Sequence, residues 1–319
     1  MVLLGGAAAA WPGTGLSQTP PRRLICVLLP GSKASSFRYF DGFAQGMREL
    51  GYVEGRDYLI EVRYAQGDLE RLRSLANEIV RLNPAVIVTG GNPAAVSAKE
   101  ATAGIPIVGL NISDPVGLGL AASDARPGGN VTGTRYRVEG MTAKQLEIAL
   151  DLVPGAMKVE VLFSEAAMML VEQRELEAAA TKLRLKLMPR EVLIRDEIGR
   201  VFQSLTQESA QIVVVLTNSR LVAWRRQIAA FALAARLPTV FGFREFVEDG
   251  GLISYGIDLR ASYRRATYFV DRILKGANPA DLPFEFPTQL ELVINLATAK
   301  AIGVAIPLTL LARADEVIE

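Results

Sequence analysis

The sequence predicts an α/β protein of two doubly wound parallel-sheet lobes joined by several hinge strands. Three observations lead there. From Leu24 onward, apolar runs of strand length alternate with segments whose apolar residues recur at helical spacing. The alternation restarts after "RPGGNVTGT", giving two similar halves of about 110 residues each, an ordinary domain size. No long flexible linker separates the halves. Strands that alternate with crossover helices form a parallel sheet covered on both faces.

The first strand is "LICVLL", and "SSFRYFDGFAQGMRELG" follows as a helix with Phe37, Phe40, Phe43, Met47 and Leu50 on one face, stopped by Gly51. "YLIEVRYA" is the second strand. "DLERLRSLANEIVRL" opens with Asp68 as a cap and repeats Leu69, Leu72, Leu75/Ala76, Ile79 and Leu82. "AVIVT", an Asn92-capped helix and "PIVGL" continue the series. After the restart come a helix over "TAKQLEIALDLV", the strand "KVEVLF", a helix through "LVEQRELEAAATKLR" and the strand "LKLMPREV". A helix near Ile198 to Gln207, "QIVVVL", one helix over "SRLVAWRRQIAAFALAAR", and the strands "PTVFGF" and "GLISYG" follow. The tail adds the helix "RASYRRATYFVDRILKG", then "LPFEFPTQLELVIN" and a last helix. An economical path returns this tail to the first lobe and then to the second. The lobes then comprise residues 24–134 plus 256–286 and residues 135–255 plus 287–319.

Composition restricts the chemistry. Lys plus Arg number 35 and Asp plus Glu 34, so no basic surface for nucleic acid is implied. The chain has no histidine, which removes the usual general base, the commonest metal ligand and the usual triad member. Its single cysteine, Cys26, excludes an internal disulfide and sits in an apolar run that reads as a buried strand. No motif for a cofactor or metal is present. Residues 1–23, "MVLLGGAAAAWPGTGLSQTPPRR", form a signal-like or disordered segment with Ser17-Gln18 as a possible cleavage point. No Lys or Arg precedes Arg22, so the leader looks truncated or started too far downstream. The segment is too short and too interrupted by Gly and Pro to span a bilayer. The expectation is a soluble, exported protein, mostly monomeric.

Four long ordered runs carry a resemblance: "GMRELGYVEGRDYLIEVRYAQGDLERLRSLANEIVRLNPAVIVTGGNPAA", "IPIVG…DPVGLGLAASDARPGGNVTGT", "LPTVFGFREFVEDGGLISYG" and "ILKGANPADLPFEFPTQLELVINLATAKAIGVAIP". They resemble the ABC-transporter substrate-binding proteins of the type I periplasmic binding fold, including the tryptophan/tyrosine-binding group. The resemblance extends from Leu24 to Glu319. The loop "PGSKASSFRYFDGF" and the stretch "GTRYRVEGMTAKQ" depart from the family pattern. It implies capture of a small carboxylate-bearing ligand, such as an aromatic amino acid, in an interlobe cleft. It also implies docking on ABC-transporter permease subunits, contact with the membrane through the permease alone, and no catalysis. A carboxylate-dependent enzyme is the rival on the same fold, weakened by the missing histidine and by no carboxylate pairing beyond Glu245, Glu248 and Asp249. A ligand-sensing repressor is a further rival, but residues 1–23 cannot form a DNA-reading module.

Ligands of open parallel sheets bind beyond the carboxyl ends of the strands, so the candidates lie there. Gly91 and Asn92, in "TGGNP", offer backbone N–H groups at a helix start, or serve as a plain strand–helix turn. A nucleotide loop would need a Lys and a Ser or Thr after the glycines, and these are missing. Ser32, Ser35 and Ser36 follow the first strand as ligand contacts or as caps. Asn111, Ser113 and Asp114 end the fourth strand at the same wall, where Asp114 contacts the ligand or caps a turn. Tyr136 follows the crossover. On the second lobe the strand ends supply Ser164, Asn218, Phe243 and Glu245, with Ser219 expected to cap its helix and Asp258 the one after "SYGI". A ring and a carboxylate at one strand end, Phe243 and Glu245, suit an amino-acid ligand.

Overall fold

The computed structural model describes residues 22–136, 138–164, 170–287 and 290–319. The signal-like segment therefore lies outside the described residues, apart from Arg22 and Arg23. A first sheet has the strand order β2-β1-β3-β4-β5, formed by β1 (Arg23–Leu29), β2 (Tyr58–Tyr64), β3 (Val86–Gly90), β4 (Ile107–Ile112) and β5 (Val131–Arg135), all parallel. β1 is central, and Ile25–Leu29 are buried because both faces of the sheet are covered. Cys26 is fully enclosed there, and burial pushes its thiol up to about 11.

The covering helices follow from their apolar stripes. α2 (Arg71–Arg81) buries Leu72, Leu75, Ala76 and Ile79, the expected repeat. Asp68 does not cap this helix: its Oδ1 accepts from the Glu70 N–H, closing a turn one step ahead. α1 (Lys33–Glu49) buries Phe43 and Met47, whereas Leu50 lies beyond its end and is 42 % exposed. The Phe37 side chain lies outside the described residues. α3 (Gly91–Ala101) covers the other face beside α2.

The second sheet runs β12-β11-β10-β9-β8-β6-β7, built from β6 (Lys158–Phe163), β7 (Lys186–Glu191), β8 (Val213–Val215), β9 (Thr239–Phe241), β10 (Ile253–Ile257), β11 (Leu290–Asn295) and β12 (Glu316–Ile318). Pairing is parallel except between β10 and β11. α4 (Met141–Leu152), α5 (Leu170–Leu183) and α6 (Glu197–Gln207) flank it. The single helix expected over "SRLVAWRRQIAAFALAAR" is two, α7 (Ser219–Ala223) and α8 (Arg225–Ala234). Trp224 interrupts it: its N–H bonds to the Arg220 and Leu221 carbonyls, a tightened turn that ends α7. A short α9 (Arg244–Glu248) starts directly after Phe243, and α11 (Leu296–Ile302) and α12 (Leu308–Leu311) lie between β11 and β12. β12 and α12 had no counterpart in the sequence pattern, being only three and four residues long.

After β10 the chain leaves the second sheet, and α10 (Leu259–Leu274) packs on α1. Asp258 caps α10, its Oδ1 accepting from the Ala261 N–H at 3.1 Å. The following residues run along β5: the Thr132 hydroxyl donates to the Leu282 carbonyl, and Thr134 bridges to Glu285. From there the chain enters β11. Three passages therefore link the two sheets: after β5, between β10 and α10, and between Glu285 and β11.

α1 meets α10 at glycine distance. A Cβ at Gly46 would lie 2.5 Å from Thr267 Oγ1 and 2.8 Å from the Arg264 carbonyl oxygen. Helix propensity alone favours Gly→Ala by about 1 kcal/mol, but a backbone oxygen in a packed helix cannot swing aside. Overpacking costs about 1–3 kcal/mol, so Gly46→Ala is expected to destabilise the protein. Urea melts of the variant check the sign, and a higher midpoint would show that the helices separate easily.

Candidate ligand-binding site

A cavity of about 110 Å³ opens between the carboxyl ends of the two sheets. Its walls come from both sheets and from α10. The first-lobe wall is the β1 end with Pro30, Gly31 and Ser36, the Gly90–Pro93 turn, and Asn111 with Ser113. The facing wall is Thr217, Asn218, Val222, Ala223 and Phe243. Among the described residues four rings stand around the space: Tyr39 from α1, Tyr136 from the first passage, Phe243 from the β9 end and Tyr263 from α10. Tyr39 and Tyr263 lie 5.5 Å apart between centroids, tilted by 31°. Both are buried, and burial raises both phenols, so they stay neutral at physiological pH.

The Gly90–Pro93 turn sits at the cavity wall, but its parts differ from expectation. α3 begins at Gly91, with Gly90 as N-cap and no side-chain cap bond, so Asn92 is not the cap. The Asn92 amide is instead committed to Ser113: its Nδ2 donates to Ser113 Oγ at 2.7 Å, and its Oδ1 accepts from the Ser113 N–H at 3.0 Å. Gly91 has φ 75°, a region glycine occupies without strain. Gly90 is needed for space, since a Cβ there would lie 3.0 Å from the Tyr263 hydroxyl and 2.8 Å from Leu29 Cδ2.

The other expected residues divide. Ser36 lines the cavity and is buried. Ser32 is not at the wall, and its carbonyl accepts from the Ser36 N–H in the first turn of α1. The Ser35 side chain lies outside the described residues. Asn111 reaches the cavity with φ 57°, and its Oδ1 accepts from Ser262 Oγ at 2.6 Å, which ties β4 to α10. Asp114 is away from the wall, with its Oδ1 accepting from the Gly117 N–H at 2.9 Å. That is the turn-capping alternative.

On the second lobe, Asn218 and not Ser219 caps α7, accepting from the Leu221 N–H at 2.8 Å while its Nδ2 donates to the Ser164 carbonyl. Ser164 is fully buried and off the wall, and its hydroxyl has no hydrogen-bond partner among the described residues. Phe243 is at the wall; Glu245, two residues on, is not. The short α9 that begins after Phe243 turns Glu245 inward, where it is 5 % exposed with Oε2 unpartnered among the described residues. Burial pushes its carboxyl up to about 8, with Glu248 adding to the rise and Arg225 opposing it. Arg225 is itself held by Asp249 at 2.7 Å.

Tyr39, Tyr263 and Leu259 are cavity residues the sequence pattern did not single out. Their signal was faint: a tyrosine within an apolar helical stripe has a polar tip that seeks a partner or a cleft. Leu259 carried none.

A model of the ABC transporter substrate binding protein family matches residues 25–318. The chain belongs to this family. Its members are solute-binding proteins, which implies a small-molecule ligand and transporter permease partners. The protein is similar to a curated tyrosine-binding protein of Clostridioides difficile (strain R20291), at 27 % identity over 262 residues, 82 % of this chain and 75 % of the relative. It also resembles a solved ABC domain from Streptococcus pneumoniae in complex with L-Trp, at 26 % identity and TM-score 0.86, covering 93 % of this chain and all of that one. A conserved domain protein from Vibrio cholerae superposes with TM-score 0.86 at 25 % identity, over 92 % of this chain and 99 % of the other. The protein is thus a substrate-binding protein of an ABC transporter with the type I periplasmic binding fold. Among the described residues, no helix is long and apolar enough to cross a membrane.

Glu245 makes stability depend on pH. Folded, its carboxyl titrates near 8, against an ordinary value of 4.5. Between those values the folded chain keeps a proton that the unfolded chain has released. The contribution is complete below the lower value and is lost as pH rises through about 8. Glu291, pushed up to about 7 by burial against the pull of Arg244, acts in the same direction. Glu245→Gln is expected to flatten the decline by up to about 1.4 kcal/mol per pH unit. Urea melts of both proteins across this window check it, and parallel curves would contradict the buried neutral carboxyl.

Proposed function

We propose that this protein captures an aromatic amino acid, or a related aromatic carboxylate, in the interlobe cavity and presents it to its permease. The observation that carries the reading is the set of four rings, supplied by both lobes, around a wall that includes the N-terminal turn of α3. Rings bury an aromatic side chain, and free N–H groups at a helix start attract a carboxylate. Gly91 and Asn92 would receive the carboxylate. Ser36, Asn111 and Asn218 would grade the polar remainder, and Tyr136 and Phe243 would cover the ring. The relatives named for tyrosine and bound to L-Trp support this ligand class.

In this reading the protein is an exported, periplasmic monomer and not an enzyme. Glu245 lies off the cavity wall, so it gives the carboxylate-enzyme alternative no reacting group. The lobes, expected over residues 24–134 plus 256–286 and residues 135–255 plus 287–319 but with Arg135 in β5 of the first sheet and Gly256 and Ile257 in β10 of the second, turn about the three passages. The ligand favours closure because both lobes touch it.

Two measurements test this. Thermal shift with L-tryptophan, L-tyrosine, short aliphatic amino acids and purines should single out the aromatic amino acids. A ligand at 100 times its Kd stabilises by about 2.7 kcal/mol. No shift with either aromatic amino acid would remove this ligand class. Small-angle scattering with the best ligand should show a smaller radius than without it, and identical curves at saturation would argue against lobe closure.

A further inference from the structure

We propose that Arg135 is a positioning residue for ligand capture: from the first passage it fixes Ser113 and, through Ser113, the amide of Asn92 at the cavity wall. The proposal rests on the reading that Asn92 contacts the ligand.

Arg135 ends β5, and its backbone N–H donates to the Glu285 carbonyl at 2.7 Å, so the first passage is fastened to the third. Its side chain is buried. Nη1 donates to both Asp124 oxygens at 2.6 Å, and Nη2 donates to the Ser113 carbonyl. The guanidinium also lies 5.1 Å from the centre of the Phe286 ring, which belongs to the third passage. Both terminal nitrogens are thus paired, while Nε is buried without a partner among the described residues, and the planar fork fixes the direction of the bonds made. One side chain therefore joins the β4 end, the Asp124 loop and two of the three passages.

Ser113 transmits this. Its carbonyl is taken by Arg135, while its N–H and hydroxyl are both taken by Asn92. Ser113 is buried, so none of the three bonds is readily exchanged for water. The paired contacts fix the plane of the Asn92 amide. They leave it one N–H and acceptor capacity on Oδ1 for a ligand. A change in the passages that moves Arg135 moves Ser113, and the Asn92 amide turns with it. The wall residue is then in register with the cavity only while the passages hold this arrangement.

Lysine keeps the charge of Arg135 but carries its donors on one nitrogen at the end of a flexible stem, so it loses the fixed fork that spans Asp124 and Ser113. The test is a double-mutant cycle on the full chain, Arg135→Lys and Asn92→Ala alone and together, with L-tryptophan and L-tyrosine as titrants in calorimetry. Arg135→Lys is expected to raise Kd at least 5-fold alone and less than 2-fold in the Asn92→Ala background. Additive effects, or an unchanged Kd for Arg135→Lys where Asn92→Ala weakens binding, would overturn the proposal. Hydrogen exchange gives an answer without ligand: Arg135→Lys should speed exchange in peptides covering residues 90–93 and 111–114 and leave α2 unchanged. Unaltered exchange in those peptides would overturn it as well. Should Arg135→Lys fail to fold, Asp124→Asn loosens the same fork from outside and should speed exchange at the same peptides. If Asn92→Ala leaves Kd unchanged while exchange responds, the ligand reading of Asn92 falls and the capture role of Arg135 falls with it.

Discussion

Much of this structure depends on α10 lying against α1. By chain order α10 follows β10 of the second sheet, yet it packs on the first lobe. Gly42 and Gly46 make that contact close: Cβ atoms at these positions would meet the Arg260 and Arg264 carbonyl oxygens at 2.2 and 2.8 Å. The consequence reaches the cavity. Tyr39 from α1 and Tyr263 from α10 are brought ring to ring, and Leu259, at the start of α10, joins the wall. The Tyr263 hydroxyl in turn sits where only a glycine at position 90 leaves room. A helix that follows the second sheet yet packs on the first lobe thereby shapes both a link between the sheets and the cavity wall.

The second lobe sets a charged group behind its cavity wall. Phe243 faces the space, while Glu245 and Arg225 are buried off the wall and Asp249 is half-buried beside Arg225. Burying a lone carboxylate is costly, so Glu245 takes up a proton. Arg225 and Asp249 solve the same problem by pairing. The apolar cluster that includes Tyr39, Phe43 and Tyr263 continues through Phe243 and Phe246. The wall is thus continuous with the core.

The element series was legible because its causes are local. Leu72, Leu75, Ala76 and Ile79 repeat at helical spacing and are the residues α2 buries, and Asp258 caps α10 as its chemistry implies. Misreadings fell where two local solutions compete. Asn92 precedes a proline at a helix start and resembles a cap, but Ser113, distant in sequence, claims its amide. Ser219 and Asn218 are both good caps, and Asn218 wins because its other end also reaches the Ser164 carbonyl. Trp224 breaks a helix whose apolar pattern runs on without a signal.

By itself the sequence determined two sheets of alternating strands and helices and the strand ends that carry the candidate residues. It also determined the absence of histidine chemistry. These follow from periodicity, composition and spacing, which act over one or two turns of chain. Only the tertiary structure decided which candidates face a common space. Asp114 and Glu245 are turned away from it by a turn and a short helix, and Tyr39 and Tyr263 are turned toward it. It also decided that Arg135 and Asn92 share Ser113. A side chain's direction is set by what packs around it from distant segments, and no local pattern records that.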